Sequence, residues 1–79
     1  MTAEERRKEI VKSLGKTCEE ARVAIRNARR DANETLKRDK SLPEDQRKRD
    51  EKEVQKITDE FIKKIDDAAK AKEKEIMTV

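Results

Sequence analysis

A chain of 79 residues that is 52% charged and 32% hydrophobic, with one Phe and no Trp or Tyr, makes at most one small domain and encloses little core by itself. The net charge is +3 with a pI near 9.1, and one Gly, one Pro and regular apolar spacing favour long helices over the disorder that such charge density otherwise signals. Without His there is no imidazole base, no His-containing triad and no imidazole metal site, and a single cysteine, Cys18, rules out an intrachain disulfide and fits a reducing compartment.

The first element begins at Thr2-Ala3-Glu4-Glu5, which has the form of a capping box. From there Ile10, Leu14, Cys18, Ala21, Ile25, Ala28, Ala32 and Leu36 advance by three or four residues, with Val11 beside them, so a helix is expected over about 3–39. Gly15 falls inside it as a soft spot, costing about 1 kcal/mol relative to Ala. Cys18 lies on the apolar stripe and reads as a small packed thiol, not a nucleophile.

A turn follows at about 40–42. Ser41-Leu42-Pro43-Glu44 reads as a second capping box with proline in the first turn, and the second helix is expected over about 43–77. Its stripe is Val54, Ile57, Phe61, Ile65 and Ala68, with Ile62, Ala69 and Ile76 at the margins. Between Lys37 and Glu53 only Leu42 is apolar, which predicts a solvated spur with little packing at the turn end. The architecture is therefore all-α, an antiparallel two-helix hairpin forming one unit over 1–79. Two stripes cover each other along one seam only, so the remainder calls for self-association or a partner helix.

The chemistry concentrates in the first helix. Residues 1–40 hold 12 Lys+Arg against 8 Asp+Glu, net +4, whereas residues 41–79 are net −1. Four arginines, Arg22, Arg26, Arg29 and Arg30, stand among small apolar residues between Ala21 and Asn33, a combination that suits a helix gripping phosphates. At about 100° per residue, Lys8, Lys12, Lys16, Arg26, Arg30 and Lys37 share a sector away from the stripe, with Val23 and Glu19 among them; Arg22 and Arg29 flank the stripe. A straight row of cations tracks a phosphate backbone, and the lack of aromatic residues favours structured RNA over stacked single strands. The alternative is an ordinary solvated face with local ion pairs, in a purely structural hairpin or coiled-coil dimerisation module. Glu19-Glu20 and Asp66-Asp67 read as solvating charges because adjacent carboxylates point to different sides of a helix. There is no glycine-rich phosphate loop, and no enzyme activity, metal, cofactor, small-molecule substrate or membrane span is expected.

One set of motifs goes beyond periodicity: Glu4-Glu5-Arg6-Arg7-Lys8-Glu9, Ala21-Arg22-Val23-Ala24-Ile25-Arg26-Asn27-x-Arg29-Arg30-Asp31-Ala32-Asn33, Val54-Gln55-Lys56-Ile57-Thr58-Asp59, Ile62-Lys63-Lys64-Ile65-Asp66 and Lys72-Glu73-Lys74-Glu75-Ile76-Met77. In this order they resemble the C-terminal part of ribosome recycling factor across essentially the whole chain. The resemblance implies that the hairpin is part of a three-helix bundle whose first helix is absent here, as is the family's β-rich second domain. It implies contact with large-subunit ribosomal RNA through Arg26, Arg29 and Arg30, with Arg22, Lys12 and Lys16 added from the basic stretch. It also implies action with elongation factor G in the full-length family, in a bacterial cytoplasm or an organellar matrix or stroma, and binding without recycling for this chain alone. The turn region departs from the family by being about one helical turn shorter.

Overall fold

The computed structural model describes residues 1–78, and these form two helices, α1 (Ala3–Arg38) and α2 (Glu44–Met77), packed as an antiparallel hairpin. The molecule is a rod of 61 × 17 × 8 Å. A 36-residue helix of about 54 Å accounts for its long axis.

The start of α1 follows from its sequence. Thr2 is extended and its hydroxyl accepts the Glu5 amide at 3.2 Å, while Glu4 and Glu5 place negative charge on the first turn and Lys37 and Arg38 positive charge on the last. At the other end the expected capping by Ser41 does not occur. Helix α2 starts at Glu44 with Pro43 preceding it, and Ser41 turns its amide (3.1 Å) and hydroxyl (2.5 Å) to Oδ1 of Asp39. Ser41 lies three residues before the first helical residue, so its hydroxyl caps no first-turn amide and donates to the charged Asp39, whose own carbonyl takes the Leu42 amide at 3.2 Å to close the turn. The Pro43 carbonyl then takes the Arg47 amide at 2.9 Å as the first helical bond.

No apolar side chain among the described residues is fully covered. The most buried residue is Thr58, 5% exposed, whose hydroxyl turns back to the Val54 carbonyl at 2.7 Å and so satisfies itself within α2. Phe61, expected at the middle of the seam, instead lies on its rim at 51% exposure. The reason is rotation of the helix pair. The side of α2 that meets α1 runs through Val54, Thr58, Ile62, Ile65 and Ala69, which leaves Ile57 and Phe61 facing an open groove.

The turn end is also better packed than a solvated spur. Leu42, Gln46, Arg47, Asp50 and Glu51 are all half-buried, and Gln46 donates to Asp50 at 2.8 Å. The seam there is polar, and three covered atoms, Asn33 Oδ1, Arg47 Nε and Glu51 Oε1, lack hydrogen-bond partners. Gly15 has open space where a Cβ would stand, so its cost is conformational and no close contact requires it.

The exposed area is 6,562 Å². A compact monomer of 9.3 kDa exposes about 5,000 Å². The elongated shape accounts for the excess, and on one face of the hairpin two apolar grooves of about 390 and 350 Å³ lie in line. Ile25, Ala28, Ala32, Ile57 and Phe61 line the first, and Leu14, Cys18, Ala21, Ile65 and Ala68 the second.

Candidate nucleic-acid interface

The arginines divide by their angular position on α1. Arg30 is exposed, and Arg26, one turn before it, is half-exposed. Lys12 and Lys16 are exposed further toward the N-terminus of the same helix. Among the described residues, none of Lys12, Lys16, Arg29 and Arg30 is engaged in an ion pair. A single continuous helix carries them, so their spacing is set by the 1.5 Å rise per residue and is rigid over the length of the row.

Arg29 and Arg22 sit elsewhere. Arg29 is half-buried and lines the apolar groove beside Ile25, Thr58 and Phe61, so the structure does not bring it into the row that holds Arg26 and Arg30. Arg22 is 22% exposed and crosses to α2, where its Nε and Nη2 both approach Asp66 Oδ1, at 2.7 and 2.6 Å. Its Nη1 reaches Glu19 at 3.1 Å. The hydrogen bond to Asp66, and secondarily that to Glu19, raise the Arg22 pKa above its ordinary value and keep the guanidinium charged.

The adjacent carboxylates are thus not merely solvating. Glu19 and Asp66 are both committed to Arg22, and Glu19 also reaches Arg26 at 3.5 Å. Local spacing signals the Glu19 contacts, because residues three and seven apart lie on one side of a helix. It gives no sign of Asp66, which is 44 residues from Arg22 and meets it only through the register of the hairpin.

Among the described residues no three His, Cys, Asp or Glu side chains converge as a metal site, and Cys18 is a half-buried free thiol in the second groove. Among the described residues no helix is long and apolar enough to cross a membrane. What the surface offers is positive charge on a stiff support, with bidentate donors at Arg26 and Arg30.

The family model described as "Ribosome recycling factor" matches residues 1–77. The ribosome-recycling factor of Symbiobacterium thermophilum is 58% identical over 79 residues, covering 96% of this chain and 43% of the relative. That of Bdellovibrio bacteriovorus is 53% identical, covering 96% and 42%, and that of Carboxydothermus hydrogenoformans 56% identical, covering 96% and 43%. The chain therefore spans about two fifths of the length of these relatives. No solved structure gives a significant match. A match over nearly the whole chain at this level of identity establishes that the chain belongs to the ribosome recycling factor family.

Proposed function

We propose that this hairpin is a ribosomal-RNA-binding element of a ribosome recycling factor, and that it docks on large-subunit RNA through the basic row of α1. The observation that carries the reading is the exposed pair Arg26 and Arg30, one turn apart on a rigid 36-residue helix, in a chain of this family. Phosphate contacts from such a row fix position and orientation without reading bases, which suits the backbone and shape of folded RNA. Lys12 and Lys16 extend the row, whereas Arg22 contributes by holding the hairpin together. Arg29 contributes from the groove edge. The role is non-enzymatic: binding positions the factor, and the splitting step, with elongation factor G, belongs to the full-length protein.

The test is binding of the chain to large ribosomal subunits or their RNA over a salt series. Reversing Arg26, Arg29 and Arg30 to Glu is expected to weaken binding and flatten its salt dependence with little change in helix content, and the R26E/R30E pair to account for most of the loss. Each phosphate contact removed lowers the slope of log affinity against log salt by about 0.7–0.9. Equal affinity of parent and triple variant, or affinity indifferent to salt, refutes the reading.

The open groove supports a second statement about assembly, namely that a third helix covers it. Both apolar grooves lie on one face and leave Ile57 and Phe61 uncovered, a continuous apolar strip that a packed helix would bury. In the full-length family that helix is supplied by the same protein. In the 79-residue chain alone a second copy takes its place, which is the structural-module reading of the same surface. A peptide of the family's first helix is expected to compete with self-association.

A further inference from the structure

The acidic residue closest to the proposed RNA contacts has no role in the reading above. Glu19 stands in the same sector of α1 as Lys12, Arg26 and Arg30. Its two oxygens are divided between two guanidinium groups: Oε2 meets Arg22 Nη1 at 3.1 Å and Oε1 meets Arg26 Nη1 at 3.5 Å. With the Arg22–Asp66 bridge these form one chain of alternating charge from α2 to the basic face, Asp66 to Arg22 to Glu19 to Arg26.

The links are unequal. Arg22 reaches Asp66 with two donors at 2.6 and 2.7 Å and is 22% exposed, whereas the Glu19–Arg26 contact is at the limit of a hydrogen bond between side chains that are 57% and 42% exposed. The weakest link is therefore the one at the outer end, where an incoming phosphate arrives. A backbone phosphate offers Arg26 two oxygens in the bidentate acceptor geometry of a carboxylate, with the same single negative charge, whereas Glu19 gives it one oxygen at 3.5 Å. If Arg26 turns to a phosphate, Glu19 keeps Arg22 as its partner and is not left unpaired.

Resting on the RNA-binding reading, we propose that Glu19 is an internal substitute for an RNA phosphate: it occupies Arg26 in the free protein and releases it on binding. A phosphate reaching Arg26 has to displace Glu19, and that cost is the same whichever RNA brings it. Glu19 thus lowers by one factor the affinity of every RNA that engages Arg26 and leaves contacts that bypass Arg26 unchanged, which makes it a built-in competitor for that position.

The experiment is a double-mutant cycle, E19Q and R26Q singly and together, read as binding to large-subunit RNA and to a generic RNA duplex at several salt concentrations. E34Q serves as a charge control, since it removes the same charge from α1 at a glutamate that pairs with Arg38 instead. Breaking an exposed pair of this kind corresponds to roughly a 1.4- to five-fold change in an equilibrium constant. Affinity is expected to rise by that factor in E19Q for each RNA that engages Arg26, and E19Q is expected to have no further effect once Arg26 is Gln. Four results overturn the proposal: E19Q binding like the parent, E19Q binding more weakly, the same gain in the R26Q background, or an equal gain in E34Q. A parent chain that shows no salt-dependent RNA binding at all removes the RNA reading itself, and is distinct from a parent that binds normally while Glu19 proves neutral.

Discussion

Substitutions at Thr58 separate burial from hydrogen bonding, because the residue is the most covered point of the seam yet its hydroxyl bonds only to its own helix. In T58V the hydroxyl is exchanged for a methyl of similar volume. The lost bond to the Val54 carbonyl costs about 1 kcal/mol, the extra buried methyl returns about 0.8 kcal/mol, and that carbonyl still takes its ordinary helical amide. The net change is within about 1 kcal/mol of zero. T58A removes both branches and leaves a gap between the helices, costing about 1–2 kcal/mol. T58K forces a long cationic side chain into a covered slot that shares its groove with Arg29, and about 3 kcal/mol is expected from overpacking and an unpaired charge. A 79-residue domain has about 4–12 kcal/mol in total, and one without a fully covered apolar side chain stands at the low end, so T58K is expected to keep only about 1 kcal/mol and to unfold at the lowest urea concentrations. Urea denaturation followed by circular dichroism at fixed protein concentration gives the order parent and T58V, then T58A, then T58K. If T58V falls as far as T58K, the hydroxyl and not its coverage sustains the seam, and the reasoning fails.

Two further outcomes follow from the groove and from the turn. The melting temperature of the 79-residue chain is expected to rise with protein concentration, and F61D, a change at a side chain 51% exposed on the groove rim, to remove that dependence while both helices still form at low concentration; a parent that is monomeric by light scattering, with a concentration-independent transition, refutes this. Asp39 accepts the Ser41 hydroxyl and then the Ser41 amide, which hold its pKa below the ordinary value of 3.8, so its contribution is complete above that value and is lost as pH falls through the lowered folded pKa. The stability difference between parent and D39N is therefore expected to be constant near neutrality and to shrink below about pH 4 in urea titrations, and a difference unchanged down to pH 2 refutes the turn assignment.

The periodicity of the sequence determined that there are two long helices, because spacings of three and four repeat from Ile10 to Leu36 and from Val54 to Ala68 and no strand tolerates that pattern. Local chemistry also determined the Thr2 cap, since capping depends on residues within one turn. The exposure of Arg26 and Arg30 was legible for the same reason: their angle on α1 is fixed by their distance from Ala21, Ile25 and Ala28. Tertiary structure decided which part of each stripe meets the other helix. A stripe about 100° wide is compatible with several rotations of the pair, and the one adopted buries Thr58, moves Phe61 to the rim and draws Arg29 into the groove. The register of the hairpin set Asp66 opposite Arg22, a pairing between residues 44 apart that neither helix encodes alone. The turn was decided locally instead: α2 begins only after Pro43, so Ser41 lies outside its first turn and bonds to Asp39 two residues back. Spacing fixes angle within an element, but contact between elements depends on how two surfaces fit, and that fit exists only once the hairpin has closed.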